Sequence, residues 1–493
     1  MTKPNRLWKR QLVLTALLGT LLIATGCMVG PNYKRPPAPV PLAFKEKPPD
    51  GWKEAQPNDA ALKGKWWEIY NDPKLNALEE QVSISNQNVL SAEGQYRAAR
   101  AEVQVARSSL FPTVGINGPS AGTGQGGTGL LPSAGVFSTY QIPFDVSYQV
   151  DLWGSIRRNV RANAETAQAT EAQLENVKLT YQADLASDYF ELHGTDGQIA
   201  LLQSTVDSYA EYLKLTQARH DSGIASGADV AQAQTQLDSA KEQLIDFGVA
   251  RAQYEHAIAT LIGKPPAELS IPPEPLKNQP PQVPIAVPST LLERRPDIAL
   301  AERQMAAVNE QIGIAEAAFY PALTLSAGAG LASSSFARLF SWAGRFWSAS
   351  AGLSDTLYDA GRRRAQVKIA QANFDTAMAN YRQSVLNAFQ QVEDNLAALR
   401  VLEQETGATN ETIQAAQTAL NITTAQYKAG TATYLQVETS QTALFGEQAA
   451  LVNLLTRRMT ASVFLVEALG GGWDSSQLPE VSALSASDKP SKN

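Results

Sequence analysis

The sequence of 493 residues holds one cysteine, Cys27, and three histidines, His193, His220 and His256. A lone cysteine excludes an internal disulfide framework and a thiolate metal cluster. The histidines are scattered too far apart to share a metal, and read as exposed or packing side chains. The glycines between 122 and 129 lack the following Lys-Ser/Thr that a phosphate-binding loop needs. No catalytic constellation stands out, so the chain does not read as an enzyme and no cofactor is expected. Charged residues are 18% and the net charge is -7. So acidic a chain repels phosphate, which argues against nucleic acid as a partner. After the N-terminal leader, no apolar run reads as long enough for a transmembrane helix.

The leader itself is informative. Lys9 and Arg10 precede an apolar run, Leu12 to Ile23, and then Ala24-Thr25-Gly26-Cys27. This is a charged region, a short apolar region and small residues before a cut, so 1–26 reads as a signal peptide. The small residues before Cys27 resemble a bacterial lipobox, with Ala24 where Leu is usual. On that reading Cys27 is lipidated, the covalent lipid being the only added group. An ordinary signal peptide with an incidental cysteine is the alternative. Met28, which is not Asp, favours sorting to the outer membrane, with the chain extending into the periplasm. Residues 27–64 are proline-rich and read as a tether from the lipid. Loss of 1–26, with Lys3, Arg6, Lys9 and Arg10 and no acid, shifts the net charge from -7 to -11.

The chain then repeats itself. His220-Asp221-Ser222-Gly223-Ile224-Ala225 corresponds to Tyr427-Lys428-Ala429-Gly430-Thr431-Ala432, 207 residues on. Phe111-Pro112 echoes Tyr320-Pro321, and Asp151 to Gly154 echoes Tyr358 to Gly361. A first repeat over 65–264 and a second over 291–470 flank a linker, 265–290, with nine prolines from Pro265 to Pro288. Such a segment is neither helix nor central strand. Residues 471–493 read as a flexible tail. Each repeat is expected to run helix, β-hairpin, very long helix, shorter helix, long helix. Ser155 to His193 and Arg362 to Thr406 contain no Gly or Pro, which predicts rods of about 60 Å. Their alanines allow close helix approach, and rods this long need long partners, as in a helical barrel.

The hairpins, about 113–152 and 322–358, carry another period. Tyr140, Ile142, Phe144, Val146, Tyr148 and Val150 alternate with Gln141, Pro143, Asp145, Ser147 and Gln149. Leu323 to Leu331 and Trp347 to Leu357 alternate likewise, broken at Asp355, and Val114 and Ile116 hint at the remaining strand. Gly118 to Gly135 and Ser333 to Gly344 read as outer loops. Strict alternation with aromatics near the ends suits a membrane strand with one face to lipid. Four strands alone would leave unpaired edges in hydrocarbon, at several kcal/mol per group. The sheet must close with copies of itself, and eight, twelve or sixteen strands all satisfy this.

With Cys27 to Tyr33, Trp66-Trp67, Asp72-Pro73, Asp151 to Gly154, Glu293 to Ile298 and Phe319 to Pro321 in this order, the chain resembles the outer-membrane efflux proteins. It is TolC-like and nearest the lipoprotein OprM/NodT branch. The resemblance implies a mainly α fold with a membrane β-barrel: a homotrimer with a twelve-stranded barrel, four strands per chain, above an α-helical barrel. It implies a passive exit duct served by a periplasmic adaptor and an inner-membrane RND-type pump. A type I secretion duct and a non-conducting periplasmic coiled-coil lipoprotein are the alternatives. It further implies that the turns at Gly223-Ile224 and Gly430-Thr431 form the periplasmic tip where the adaptor docks. Asp229 and Tyr427 match the family's gate latch, while Ala432 stands where the family has Arg. Leu435, Gln436, Glu438 and Thr439 fall at the constriction. Glu438 faces either the axis or solvent. Arg157, Arg158, Arg161 and Arg362 to Arg364 meet either lipid headgroups or Asp151 and Asp359 of neighbouring copies.

Overall fold

The structure, a computed structural model, describes residues 28–47, 64–118, 120–125, 136–276, 279–283, 288 and 291–485. The leader, Cys27 and the last eight residues lie outside it. Of 122–125, 136 and 137 only the backbone is described. The first half contains α1 (Pro73–Ser85), α2 (Gln87–Ser108), β1 (Thr113–Ile116), β2 (Ser120–Gln125), β3 (Val136–Val150), α3 (Ser155–Asp221) and α4 (Gly227–Leu261). The second contains α5 (Pro296–Ala317), β4 (Ala322–Ser333), β5 (Arg345–Ser354), α6 (Arg362–Ala429) and α7 (Tyr434–Ala468).

Capping sets the helix starts. Asp72 accepts from the N–H groups of Lys74 and Leu75 ahead of α1, with Pro73 at its first position. Helices α3 and α6 begin on Gly154 and Gly361, at φ +80° and +89°. Their orphan N–H groups are met from upstream: Asp151 accepts from Ile156 and Arg157, and Asp359 from Gly361 and Arg363. Arg157 and Arg363 pair back to those carboxylates at 3.0 and 2.8 Å. Arg157 and Arg363, which oppose the helix dipole, are thus balanced by carboxylates of their own chain.

The expected rods stop near Gly194 and Gly407, but the helices run on. Helix α3 has 67 residues and α6 has 68, or about 100 Å each. The expected shorter helix is the lower part of each rod. Gly194 has a packing reason: a Cβ there would stand 2.2 Å from Thr456 Oγ1 on α7. The close approach of α7 offsets the roughly 1 kcal/mol that a mid-helix glycine costs. An 18-residue stretch of α7 has mean hydropathy 1.3, enough by length and composition to cross a membrane, which corrects the reading that nothing beyond the leader qualifies. Its Met459, Val463, Leu465 and Val466 are buried instead in the main core. That core lies midway along the rods, where Trp66, Trp67 and Tyr70 meet Leu185, Tyr189 and Phe190 of α3 and Tyr381 and Leu396 of α6.

The sheet is antiparallel, in the order β1/β2, β3, β4, β5. Strands β1 and β2 share one partner. Ile116 faces Phe144 and Ser120 faces Gln141, so four steps along one side match three on the other. The one-residue offset breaks the strand between β1 and β2 near Pro143, which has no N–H to donate. Part of the glycine-rich stretch expected as loop is therefore strand, because ladder bonds need only backbone. The described residues supply four strand tracks with five segments.

Candidate functional site

The sheet register sorts side chains by chemistry. Ile116, Phe144, Ala329 and Trp347 stand in one cross-strand row; Val114, Val146, Ala327 and Ala349 form the next. Tyr148, Leu325 and Ala351 follow, then Val150, Leu323 and Leu353. The alternate rows are Gly115, Asp145, Gly328, Ser348, then Thr113, Ser147, Ser326, Ser350. One face is thus apolar across all four tracks and the other polar. The apolar face is bare: Trp347 is 81% exposed, Val114 74% and Leu353 69%. Among the described residues the outer edges of β1/β2 and β5 pair with nothing. Gly330 permits the close β3–β4 approach, since a Cβ there would lie 2.3 Å from the Ile142 carbonyl oxygen.

Aromatic side chains mark both ends. Phe336, Phe340 and Trp342 are exposed at the outer loop, with the Arg345 guanidinium 3.9 Å over the Trp342 ring. At the helix end Trp153 donates to the Pro321 carbonyl at 2.8 Å and stacks on Tyr320.

Beside this end sits an anchor that sequence reasoning placed only loosely. Arg158 is fully buried. It pairs with Glu310 of α5 at 2.7 Å and donates to the carbonyls of Val29, Gly30 and Pro31 at 2.6, 2.9 and 3.2 Å. Gly313 makes room, because its Cβ would lie 2.2 Å from Arg158 Nε. From there residues 28–47 run along α5 and α6. Tyr33 donates to Glu302 on α5, and Glu393 on α6 accepts from the N–H groups of Lys45 and Glu46.

At the far end, Gly223 and Gly430 turn the chain with φ +75° and +78°. Ile224 is exposed, and Thr431 Oγ1 donates to the Gln426 carbonyl. Asp229 and Tyr427 do not meet within the chain. The Asp229 carboxylate accepts from the N–H and Oγ of Ser226, both at 3.0 Å, as the capping box of α4. Tyr427 is buried and its hydroxyl donates to Thr216 Oγ1 on α3 at 3.2 Å. The Arg219 guanidinium lies 4.6 Å over its ring. A second tie joins the Tyr212 hydroxyl to Thr424 at 2.8 Å. Tyr212, Thr216 and Arg219 fall on one face of α3 at helical spacing, the signal that could have found them.

Leu435, Gln436 and Thr439 are exposed on α7. The Gln436 Oε1 accepts from the Thr433 N–H, and the Thr439 hydroxyl turns onto the Leu435 carbonyl. Glu438 sits apart from them. It points into a groove shared with Tyr209, Gln232, Gln236, Thr442 and Phe445, rather than standing with Leu435 and Thr439. Burial there raises its carboxyl above the usual range, partly offset by a hydrogen bond from Gln232. Of the histidines, His193 is buried with Nδ1 at 2.6 Å from the Glu274 carbonyl, and His220 Nδ1 lies 3.0 Å from that of Ala225.

The model of the outer membrane efflux protein family matches residues 78–264 and 287–471. The chain is 31% identical over 470 residues to the probable efflux pump outer membrane protein TtgC of Pseudomonas putida KT2440, covering 93% of this chain and 96% of that one. It is 30% identical to the pyoverdine export outer membrane protein OpmQ of Pseudomonas aeruginosa PAO1, over 89% and 94% of the two chains. The solved outer-membrane channel OprN superposes with a TM-score of 0.83 at 28% identity, over 91% of this chain and all of that one.

Proposed function

Because the chain belongs to the outer membrane efflux protein family, we propose that it is the outer-membrane exit duct of a tripartite efflux system. In this role it passes small toxic molecules outward without an energy source of its own. The observation that carries the reading is the sheet. All four tracks present apolar side chains to one face, and that face is uncovered. Such a surface suits hydrocarbon, and its polar reverse suits a water-filled lumen. Two open edges cannot persist in lipid. Three copies, each adding four tracks, close a twelve-stranded barrel, and the rods below continue it as a helical barrel through the periplasm.

Several features support the details. Residues 28–47 leave the membrane end and follow α5 and α6, the course expected of a tether drawn from a lipid on Cys27. The turns at Gly223-Ile224 and Gly430-Thr431 stand free at the far end, where a periplasmic adaptor docks and links the duct to an inner-membrane pump of the RND type. The duplicated halves give each subunit two such turns.

Purified protein reconstituted in planar bilayers tests this reading. Heat-resistant trimers that carry ion current are expected. A protein that stays monomeric and soluble without detergent and conducts nothing would remove it.

A further inference from the structure

We propose that Arg219 of α3, rather than Asp229 of α4, is the positioning residue that holds the periplasmic tip closed, by tying α3 to the end of α6. The inference rests on the duct reading and names a residue that the family pattern does not supply at Ala432. Rods α3 and α6 each pack along α5 and α7, but their own backbones make few close approaches. Long side chains therefore span the gap near the tip.

Arg219 makes the largest of these bridges. Its guanidinium lies 4.6 Å over the Tyr427 ring, and Nη1 donates to the Lys428 carbonyl at 3.3 Å. That carbonyl is among the last four of α6, which have no partner within the helix and carry the negative end of its dipole. A guanidinium is suited to both contacts at once, being planar, permanently charged and rich in donors. Thr216 and Tyr212 add the hydroxyl ties to Tyr427 and Thr424. Among the described residues Asp229 makes no tie to α6 within the chain; its Oδ2 accepts from the N–H and Oγ of Ser226 at the first turn of α4.

Arg219 also lies on the docking turn. A Cβ built on Gly430 would stand 3.8 Å from Arg219 Nη2. Whatever seats against Gly430 and Thr431 meets this guanidinium. Docking there competes for Arg219 and loosens α6 and α7 from α3, which couples engagement to opening.

Conductance of reconstituted trimers tests the assignment. Arg219→Ala is expected to raise the open-to-closed ratio roughly tenfold or more, from loss of a cation–π contact and a charge-assisted hydrogen bond. Arg219→Lys should fall between the two, and Asp229→Ala should leave the closed state unchanged. Heat-resistant trimers in each variant separate a gating effect from misfolding. If Arg219→Ala yields no trimers, Tyr427→Leu removes the other partner and should open the channel equally. Opening by Asp229→Ala, with Arg219→Lys and Tyr427→Leu both as closed as the original, would overturn the proposal while leaving the duct intact. Absence of trimers and current in the unaltered protein would instead sink the duct, and the gate with it.

Discussion

Removing the Arg158 side chain should detach the N-terminal strap and destabilise the membrane end of the helices. Arg158→Ala leaves Glu310, which is only 6% exposed, without its cation. Breaking a buried ion pair from one side costs about 3–5 kcal/mol. The carbonyls of Val29, Gly30 and Pro31 lose a charged donor as well, at about 1.5–3 kcal/mol for each such bond taken singly. These terms are not additive, because one guanidinium makes all the contacts, so about 4 kcal/mol is expected in total. Denaturant unfolding of detergent-solubilised protein measures it. Limited proteolysis should show faster cleavage within 28–47. Arg158→Lys should recover only part, since an ammonium cannot address a carboxylate and three carbonyls in one plane. A loss under about 1 kcal/mol in Arg158→Ala, with unchanged cleavage of the strap, would refute the reasoning.

Neighbouring positions on β4 should respond oppositely to the same charge. Ala327→Lys places an ammonium on the apolar face and should impair membrane assembly by about 2–4 kcal/mol, while Ser326→Lys, on the polar face, should assemble normally and alter ion selectivity. Refolding into vesicles measures the first effect and reversal potentials the second. Burial lifts the Glu467 carboxyl to about 7. A raised carboxyl favours the protonated folded state, so its contribution is full below the ordinary value of 4.5 and is lost as pH rises through 7. Glu467→Gln should therefore remove about 2–3 kcal/mol of that pH dependence between pH 4 and 8, read as unfolding midpoints across the range.

What the sequence discloses depends on how local the cause is. Alternation in β3 is a property of consecutive residues, and the register that aligns it with β4 and β5 follows from the same pattern. Gly223 and Gly430 announce their turns because positive φ excludes most other residues. The continuation of α3 past Gly194 could not be read, since its reason is Thr456 on a distant helix. The strand within the glycine-rich stretch after Asn117 was hidden too, because its partner decides its conformation. Arg158, read only as meeting headgroups or a carboxylate of another copy, and Arg219 carry no local signal of what they touch. Burial by the strap in one case, and Tyr427 from the other half in the second, give them their roles. Asp229 takes its latch reading from the resemblance alone; the contact the chain itself shows is the capping box with Ser226.

Rods α3 and α6 differ in length by one residue, or about 1.5 Å in some 100 Å. Both walls therefore finish level, and the subunit acts as a spacer of fixed reach. Anything that meets its lower rim must come to a set depth, because the rods cannot be lengthened piecemeal. A single inserted residue in α3 alone would turn every side chain below it by about 100° and leave the two turns at uneven heights. Changes in reach must come as matched insertions in both rods, in steps that restore the same faces.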